Sequence, residues 1–202
     1  MTPRVLAVAG CLLVSGLSLM PNVQASETPG PELTRRVLDW IEQKRGQRTS
    51  EDMKAARRLN AMGTKSYKER QYGDAQTAFE NSYPNFPNAY AYIMTGDSHW
   101  RAVMQFQESE GRKPENRPPA CSMDNKYFAH DVTTDVAQHH EVGLALAQHE
   151  NEQHFLKSTF YRRARESATC LQKVASFYEA QPPTACVDIA KLRRCLGAPL
   201  IK

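Results

Sequence analysis

Five of the six histidines of this chain lie between residues 130 and 154, where aspartates and glutamates are mixed with them. Imidazole and carboxylate groups together can bind zinc or copper, and a histidine held beside a carboxylate can transfer protons. Two ligands on one helix face must be three or four residues apart. Asp131, Asp135 and His139 meet that spacing, and so do Glu150 and His154. The HExxH arrangement is absent, so a metal site would need ligands from more than one helix.

The helical periodicity of this segment favours a structural role for its histidines. At about 100° per residue, His139 falls within the apolar face and Asp135 on its margin, while His130 and His140 point elsewhere. The apolar face consists of Phe128, Val132, Val142 and Leu146. The pattern predicts a partly buried Asp135–His139 pair in which the carboxylate orients the ring and favours its charged form. A bound metal and acid–base catalysis stay open as alternatives.

Other signals of enzyme chemistry are missing from the sequence. There is no GxSxG nucleophile motif, no glycine-rich phosphate loop and no dinucleotide-binding fingerprint. The cysteines lack a CxxC pair, which argues against a thiol oxidoreductase. The sequence therefore assigns no catalytic residue and no cofactor, and it favours a protein that is not an enzyme.

The first 25 residues are typical of an export signal. A basic start at residues 1–4 precedes an uncharged apolar run over residues 5–20, and the smaller side chains at positions 23 and 25 suit a signal peptidase. In a competing interpretation Cys11 is lipidated, but that cleavage would leave the strongly apolar residues 12–20 on the mature protein. We expect cleavage after Ala25 and a periplasmic or secreted protein.

Residues 26–202 have the composition of one all-α domain. Apolar residues recur at three and four positions, strand signals are nearly absent, and no second apolar run could span a membrane. The formal net charge is +4. The arginine pairs of the protein are spread along the chain, whereas a surface that binds nucleic acid would concentrate them on one face. These pairs are Arg35-Arg36, Arg57-Arg58, Arg162-Arg163 and Arg193-Arg194.

The same periodicity and the turn residues predict seven helices. We place Ser50 as the N-cap of the second helix and Tyr72-Gly73 as the turn before the third. Prolines and mixed charges predict a mobile loop over residues 108–123, between helical parts at 53–107 and 124–202. The predicted helices span about 32–44, 50–70, 74–83, 89–107, 124–148, a sixth that ends near 180, and 184–196.

Residues 53–100 carry the spacing of a known helical repeat. Small and aromatic residues alternate there in the order Gly63, Tyr67, Ala75, Phe79, Pro87. This resembles the tetratricopeptide repeat, a helix-turn-helix unit of about 34 residues. Gly96 and Trp100 look like the first helix of a second unit. The aromatic stands one residue later than usual, Ser82 replaces the usual late alanine, and a proline-rich loop follows the second unit's first helix. An ordinary helical hairpin is the alternative.

The resemblance implies a binding groove on the inner faces of the first helices of the two units. The groove positions carried over to this chain are Arg57, Asn60, Thr64 and Lys68 from the first unit and Met94, Ser98 and Arg101 from the second. These seven residues are called the predicted groove below. Because it is polar and basic, we expect an acidic segment or a C-terminal carboxylate as its ligand. An envelope scaffold, a secretion or cell-wall accessory factor and a toxin inhibitor all suit this description.

Four cysteines remain after the predicted cleavage, and an even count in an oxidising compartment predicts two disulfides. Cys186 and Cys195 lie on one predicted helix at roughly 13 Å, too far apart for a bond. Helices on either side of Pro182-Pro183 would form an antiparallel hairpin that brings Cys170 opposite Cys195. That pairing leaves Cys121 for Cys186.

Overall fold

The computed structural model describes residues 31–110, 123–182, 189–195 and 197–201. These residues form eight α-helices and no strand, which confirms the all-α class. The helices are α1 Pro31–Gly46, α2 Ser50–Lys68, α3 Tyr72–Glu80, α4 Ala89–Glu110, α5 Met123–Glu150, α6 Glu152–Lys157, α7 Thr159–Glu179 and α8 Ile189–Arg194. The predicted export signal, most of the predicted loop, and Cys11, Cys121 and Cys186 lie outside the described residues.

The start of α2 is a capping box one residue earlier than the sequence predicts. Thr49, not Ser50, is the N-cap: its Oγ1 accepts a hydrogen bond from the Asp52 amide at 3.2 Å. The Asp52 carboxylate in turn accepts the Thr49 N–H at 2.8 Å. The box needs its acidic residue at the third helical position, and counting back from Asp52 selects Thr49.

Two residues of the predicted turn before α3 belong to the helix itself. Tyr72 and Gly73 form the first turn of α3, and the chain reverses just before them. Arg70 takes a positive φ of 62° there, a conformation that ends α2. The prediction of a Tyr72-Gly73 turn is therefore wrong by two to three residues.

Helices α2 and α3 pack closely where the sequence places its small residues. A β-carbon added to Gly63 would lie 2.9 Å from the Phe79 ring, which is closer than real contacts allow. Ala75 and Phe79 are fully buried and Tyr67 nearly so. Glycine and alanine thus let the two helices approach, and the aromatic rings fill the wedge between them.

Helices α4 and α5 form the centre of the fold. Helix α4 packs against α3 on one side and α5 on the other, and α5 lies between α4 and α7. Helix α5 has 28 residues, a length of about 42 Å. Gly143 sets its approach to α4, because an added β-carbon would lie 2.5 Å from Ile93 Cγ1 and 2.9 Å from the Ala89 carbonyl.

The buried apolar residues form two clusters along these central helices. The first joins α1–α4 to the end of α5, the start of α7 and Leu200. The second joins the later part of α4 to the earlier part of α5, the later part of α7 and α8. The largest fully buried side chains include Trp100, Tyr67, Tyr178, Phe79 and Ile41.

The C-terminal helices are separated by capped breaks and joined by a disulfide. Asn151 caps α6 by accepting the His154 amide at 3.0 Å, and Ser158 stands between α6 and α7. Cys170 on α7 is bonded to Cys195, with their α-carbons 5.3 Å apart. This is the pairing that the hairpin geometry predicts.

Candidate functional site

The first-unit half of the predicted groove lies along one row of α2, at its contact with α4. Arg57 and Lys68 are exposed at the two ends of this row, and Asn60 and Thr64 are half-buried between them. The Thr64 hydroxyl lies 2.7 Å from the Tyr90 hydroxyl of α4. This row is the only part of the predicted groove, within the described residues, that a partner could reach without rearrangement.

The second-unit half of the predicted groove does not line an open surface. Met94 and Ser98 are fully buried, and Arg101 is 5% exposed. The physical reason is that α4 is enclosed between α3 and α5, so that every residue from Ala91 to Ser98 is buried. The expected contribution of Met94, Ser98 and Arg101 to partner contacts is therefore corrected: they are core residues of α4.

Arg101 belongs instead to a buried polar network with Asp97 and Tyr67. Its Nε donates to Asp97 Oδ2 at 2.7 Å and to the Tyr67 hydroxyl at 2.6 Å. The Tyr67 hydroxyl donates to the same Asp97 oxygen. Burial raises the pKa of Asp97, although Arg101 and Tyr67 act to lower it. A charge pair removed from water in this way requires hydrogen bonds on both partners, which the network supplies.

A short non-helical segment reaches this network from the far end of the chain. The Leu200 N–H donates to the Tyr67 hydroxyl at 3.3 Å, and the Pro199 carbonyl accepts from Arg163 Nη1 at 3.4 Å. Leu200 is 8% exposed and belongs to the same apolar cluster as Tyr67, and Ile201 packs against that cluster. The segment therefore covers the Tyr67 end of the α2–α4 contact.

The predicted Asp135–His139 pair is present, and a third residue joins it. His139 Nδ1 lies 2.9 Å from the Asp135 backbone carbonyl and 3.5 Å from Asp135 Oδ1. His99 of α4 adds a hydrogen bond of 2.9 Å to Asp135 Oδ2. Burial acts to raise the pKa of Asp135, but the His99 hydrogen bond and the charge of His139 lower it overall. One carboxylate thus orients two imidazole rings on a partly exposed surface.

His140 is fully buried, contrary to the helical projection that points it away from the core. The projection assumes one buried face, whereas α5 is covered by both α4 and α7. Neither ring nitrogen makes a hydrogen bond of ordinary geometry among the described residues, although the Ile93 backbone lies close enough to favour the charged ring. Burial, together with the nearby charge of His139, lowers the pKa of His140 to about 3. The ring is therefore neutral in the folded protein under ordinary conditions.

The four residues considered as metal ligands do not meet. Asp135 and Glu150 are separated by four turns of α5, roughly 22 Å. Glu150 instead pairs with Arg45 of α1, and the His154 ring packs edge-on against Tyr161. The described part of the chain contains no group of three or more histidine, cysteine, aspartate or glutamate residues that could hold a metal ion. These side chains do not fit a shared metal site.

A shallow depression of about 420 Å³ lies between α5, α6 and α7. Leu156 on its rim is 66% exposed, and the Arg165 guanidinium lies 4.6 Å from the centre of the Phe155 ring on its floor. Burial raises the pKa of Glu141 on the opposite side. The depression mixes apolar and charged groups and is open to solvent.

Sequence reasoning missed three contributors to these sites: Asp97, His99 and Leu200. Asp97 lies four residues before Arg101, a spacing at which a helix pairs opposite charges, and this signal was available. His99 is the one histidine outside the 130–154 segment, and only the packing of α4 on α5 brings it to Asp135. Leu200 follows the predicted helices and has no periodic signal.

Comparison with protein-family models, curated proteins and solved structures finds no match to this chain. Among the described helices, none combines the length and the hydropathy that crossing a bilayer requires.

Proposed function

We propose that this chain is an exported protein-binding module that recognises an acidic segment, or a C-terminal carboxylate, through the exposed row of α2. The observation that carries the proposal is that exposed basic side chains of α2 have no acidic side chain paired with them among the described residues. The ion pairs within α2 are Lys54 with Glu51 and Lys65 with Glu69, and they leave Arg57 and Lys68 without an anionic partner among the described residues. These two side chains stand about 16 Å apart along the helix, a span that suits a short peptide.

The packing of α2–α5 supports a degenerate tetratricopeptide-like unit as the scaffold. Consecutive helices pack on one another in the order α2, α3, α4, α5, and Gly63 with Phe79 makes the close contact that the repeat spacing implies. The burial of α4 restricts the proposed groove to the α2 row and its edges. Affinity for a peptide should accordingly be modest unless further surfaces contribute.

Export is supported by the Cys170–Cys195 bridge, because disulfides persist in oxidising compartments. The predicted export signal over residues 1–25 and the second predicted bridge, Cys121–Cys186, belong to the same proposal and lie outside the described residues. We propose a periplasmic or secreted protein that serves as an envelope scaffold, a secretion or cell-wall accessory factor or a toxin inhibitor.

The test is cross-linked capture of partners from the exported fraction by the full chain and by charge-reversed variants. Arg57→Glu with Lys68→Glu should lose a stoichiometric partner that the unaltered protein captures. Lys173→Glu with Arg194→Glu, which reverses two exposed charges on α7 and α8, should retain it. A partner retained equally by both double variants would remove the α2 row as the site, and the lack of any stoichiometric partner would remove the function.

A second candidate function rests on His99, Asp135 and His139. A carboxylate that orients two rings favours acid–base chemistry, as in the alternative of a small hydrolase or metal-binding protein. The absence of a fitting ligand group in the described residues weighs against the metal form of this alternative. Metal analysis of protein purified without a histidine tag tests that form: zinc or copper retained by the unaltered protein and lost in His139→Gln would favour it.

A further inference from the structure

Residues 197–201 contact the protein in the way that a bound peptide does. The segment has no helix or strand, and Gly197 turns it away from α8 with a φ of 58°. Two of its backbone groups, the Leu200 N–H and the Pro199 carbonyl, make hydrogen bonds to side chains of α2 and α7. Leu200 adds a single buried apolar side chain. Backbone hydrogen bonds with one apolar anchor are a common mode of peptide recognition.

The Tyr67 hydroxyl is suited to receive a backbone N–H from any peptide. Its proton goes to Asp97, one lone pair accepts from Arg101, and the second accepts from Leu200. A hydroxyl has one proton and two lone pairs, so this arrangement uses its full capacity. Another backbone N–H could replace that of Leu200 without any change in the buried network.

The segment is held near Tyr67 mainly by its tether. Cys195 is bonded to Cys170 of α7, and its carbonyl accepts from Ser167 Oγ at 3.2 Å. Leu200 follows five residues later, so it can move at most about 17 Å from Cys195. A tether of this length gives even a weak contact a high local concentration. The contact itself consists of two long hydrogen bonds, the buried Leu200 side chain and the partly buried Ile201 side chain.

The segment also leaves the charge of α2 uncompensated. Residues 197–201 contain no aspartate or glutamate. Lys68, next to Tyr67 in the chain, is exposed and has no anionic partner among the described residues. A partner segment with a similar apolar residue and an added carboxylate would therefore make an interaction that residues 197–201 cannot make.

We propose that residues 197–201 are an internal ligand. They occupy the surface around the Tyr67 hydroxyl, at the end of the α2–α4 contact, until an apolar peptide segment that bears a carboxylate displaces them. This proposal rests on the proposed protein-binding function and specifies its partner class and its regulation. The Cys170–Cys195 bridge holds the internal ligand in place, so partner access is coupled to the anchoring of α8.

The experiment compares the full-length protein with its Leu200→Asp variant in binding a labelled peptide Gly-Ala-Pro-Leu-Ile-Glu, followed by fluorescence anisotropy. Leu200→Asp should release residues 197–201 from the surface around Tyr67. The variant should then bind this peptide about tenfold tighter than the unaltered protein, because a larger fraction of its molecules has an open binding surface. Leu156→Asp, which alters an exposed leucine of α6, should bind no tighter than the unaltered protein. The peptide with aspartate in place of leucine should not bind. A folded Leu200→Asp that binds no tighter overturns the proposal.

Hydrogen exchange on the unaltered protein decides the matter even if Leu200→Asp does not fold. A displaceable segment opens locally, so the Leu200 amide should exchange faster than the Ile93 amide in the buried part of α4. Equal and slow exchange at both amides would mean that the segment opens only when the whole protein unfolds, and would overturn the proposal.

Partner capture separates this inference from the function on which it rests. If Leu200→Asp gains peptide binding while no variant captures a partner, the internal ligand stands and the protein-binding function fails. If capture depends on Arg57 and Lys68 but is the same with Leu200→Asp, and that variant gains no peptide binding, the function stands and the internal ligand fails.

Discussion

Lowering the pH from about 7.5 to about 5 should destabilise the fold through His140, whose ring is enclosed in its neutral form. Burial is the main cause, and the neighbouring charges of His139 and Arg101 act in the same direction. The Ile93 backbone favours the charged ring but does not offset burial. In the unfolded chain the ring titrates near its ordinary pKa of 6.5. The unfolded state therefore takes up a proton that the folded state does not.

The size of the effect follows from the two pKa values. The folded value is about 3 and the ordinary value is 6.5. At pH values between these two pKa values, the unfolded state binds one more proton than the folded state. The free energy of unfolding therefore falls by about 1.4 kcal/mol for each unit by which the pH is lowered. The loss is about 2 kcal/mol at about pH 5, and it continues until the folded ring itself titrates. That is a large share of the stability of a small domain.

The assay is urea unfolding at several pH values without reducing agent, followed by circular dichroism. His140→Leu removes the titrating ring and should lose about 2 kcal/mol of the difference between about pH 7.5 and about pH 5. His154→Gln, which alters an exposed ring of α6, should keep that difference. Asp135, whose pKa is lowered, contributes stability that is lost only below its ordinary 3.8. A His140→Leu variant that keeps the full pH dependence would refute the reasoning.

Three further changes test the packing by thermal or urea unfolding. Gly143→Ala should destabilise the fold by about 1–3 kcal/mol because its β-carbon would overlap α4, whereas Gly73→Ala, whose β-carbon meets no atom within 4 Å, should be neutral or slightly stabilising; equal effects would contradict this packing. Cys170→Ala opens a bridge that spans 25 residues and should cost about 3 kcal/mol, and an unchanged midpoint would exclude the bridge. Asp97→Ala removes the carboxylate that pairs with buried Arg101 and should cost about 3–5 kcal/mol; a loss below about 1 kcal/mol would show that the network adds little.

The local features of the fold were predictable because each depends on residues that are close together in the sequence. The helical class follows from a period of three to four, and the approach of α2 to α3 follows from Gly63 and Ala75 opposite aromatic residues. Cys170 and Cys195 were predicted to face each other because they lie at similar distances in sequence before and after Pro182-Pro183. Errors of one to three residues occur at Thr49 and Arg70, because a cap or a turn is fixed by side-chain hydrogen bonds and backbone angles rather than by periodicity.

The contacts between distant helices were not predictable from these patterns. A projection of α5 can identify one apolar face, but it cannot show that a second helix covers the opposite face and encloses His140. In the same way, His99 and Asp135 belong to different helices, and their meeting depends on how those helices cross. The sequence therefore predicts a pair within one helix, such as Asp135 with His139, but it does not predict the residue that a second helix adds to that pair.

The burial of half the predicted groove has a specific cause in the order of the helices. The repeat spacing predicts that a partner helix follows α4 at once, but the next described helix, α5, begins only at Met123. It nevertheless packs against α4 closely, with Gly96 and Gly143 at the contact, as Gly63 lies at the contact of α2 with α3. A repeat of fixed length cannot predict a partner helix that comes later in the sequence and still packs against α4. Because α5 encloses α4, Met94 and Ser98 become core residues. The exposed charge of α2 and the surface beneath Leu200 are the two surfaces that we propose for peptide recognition.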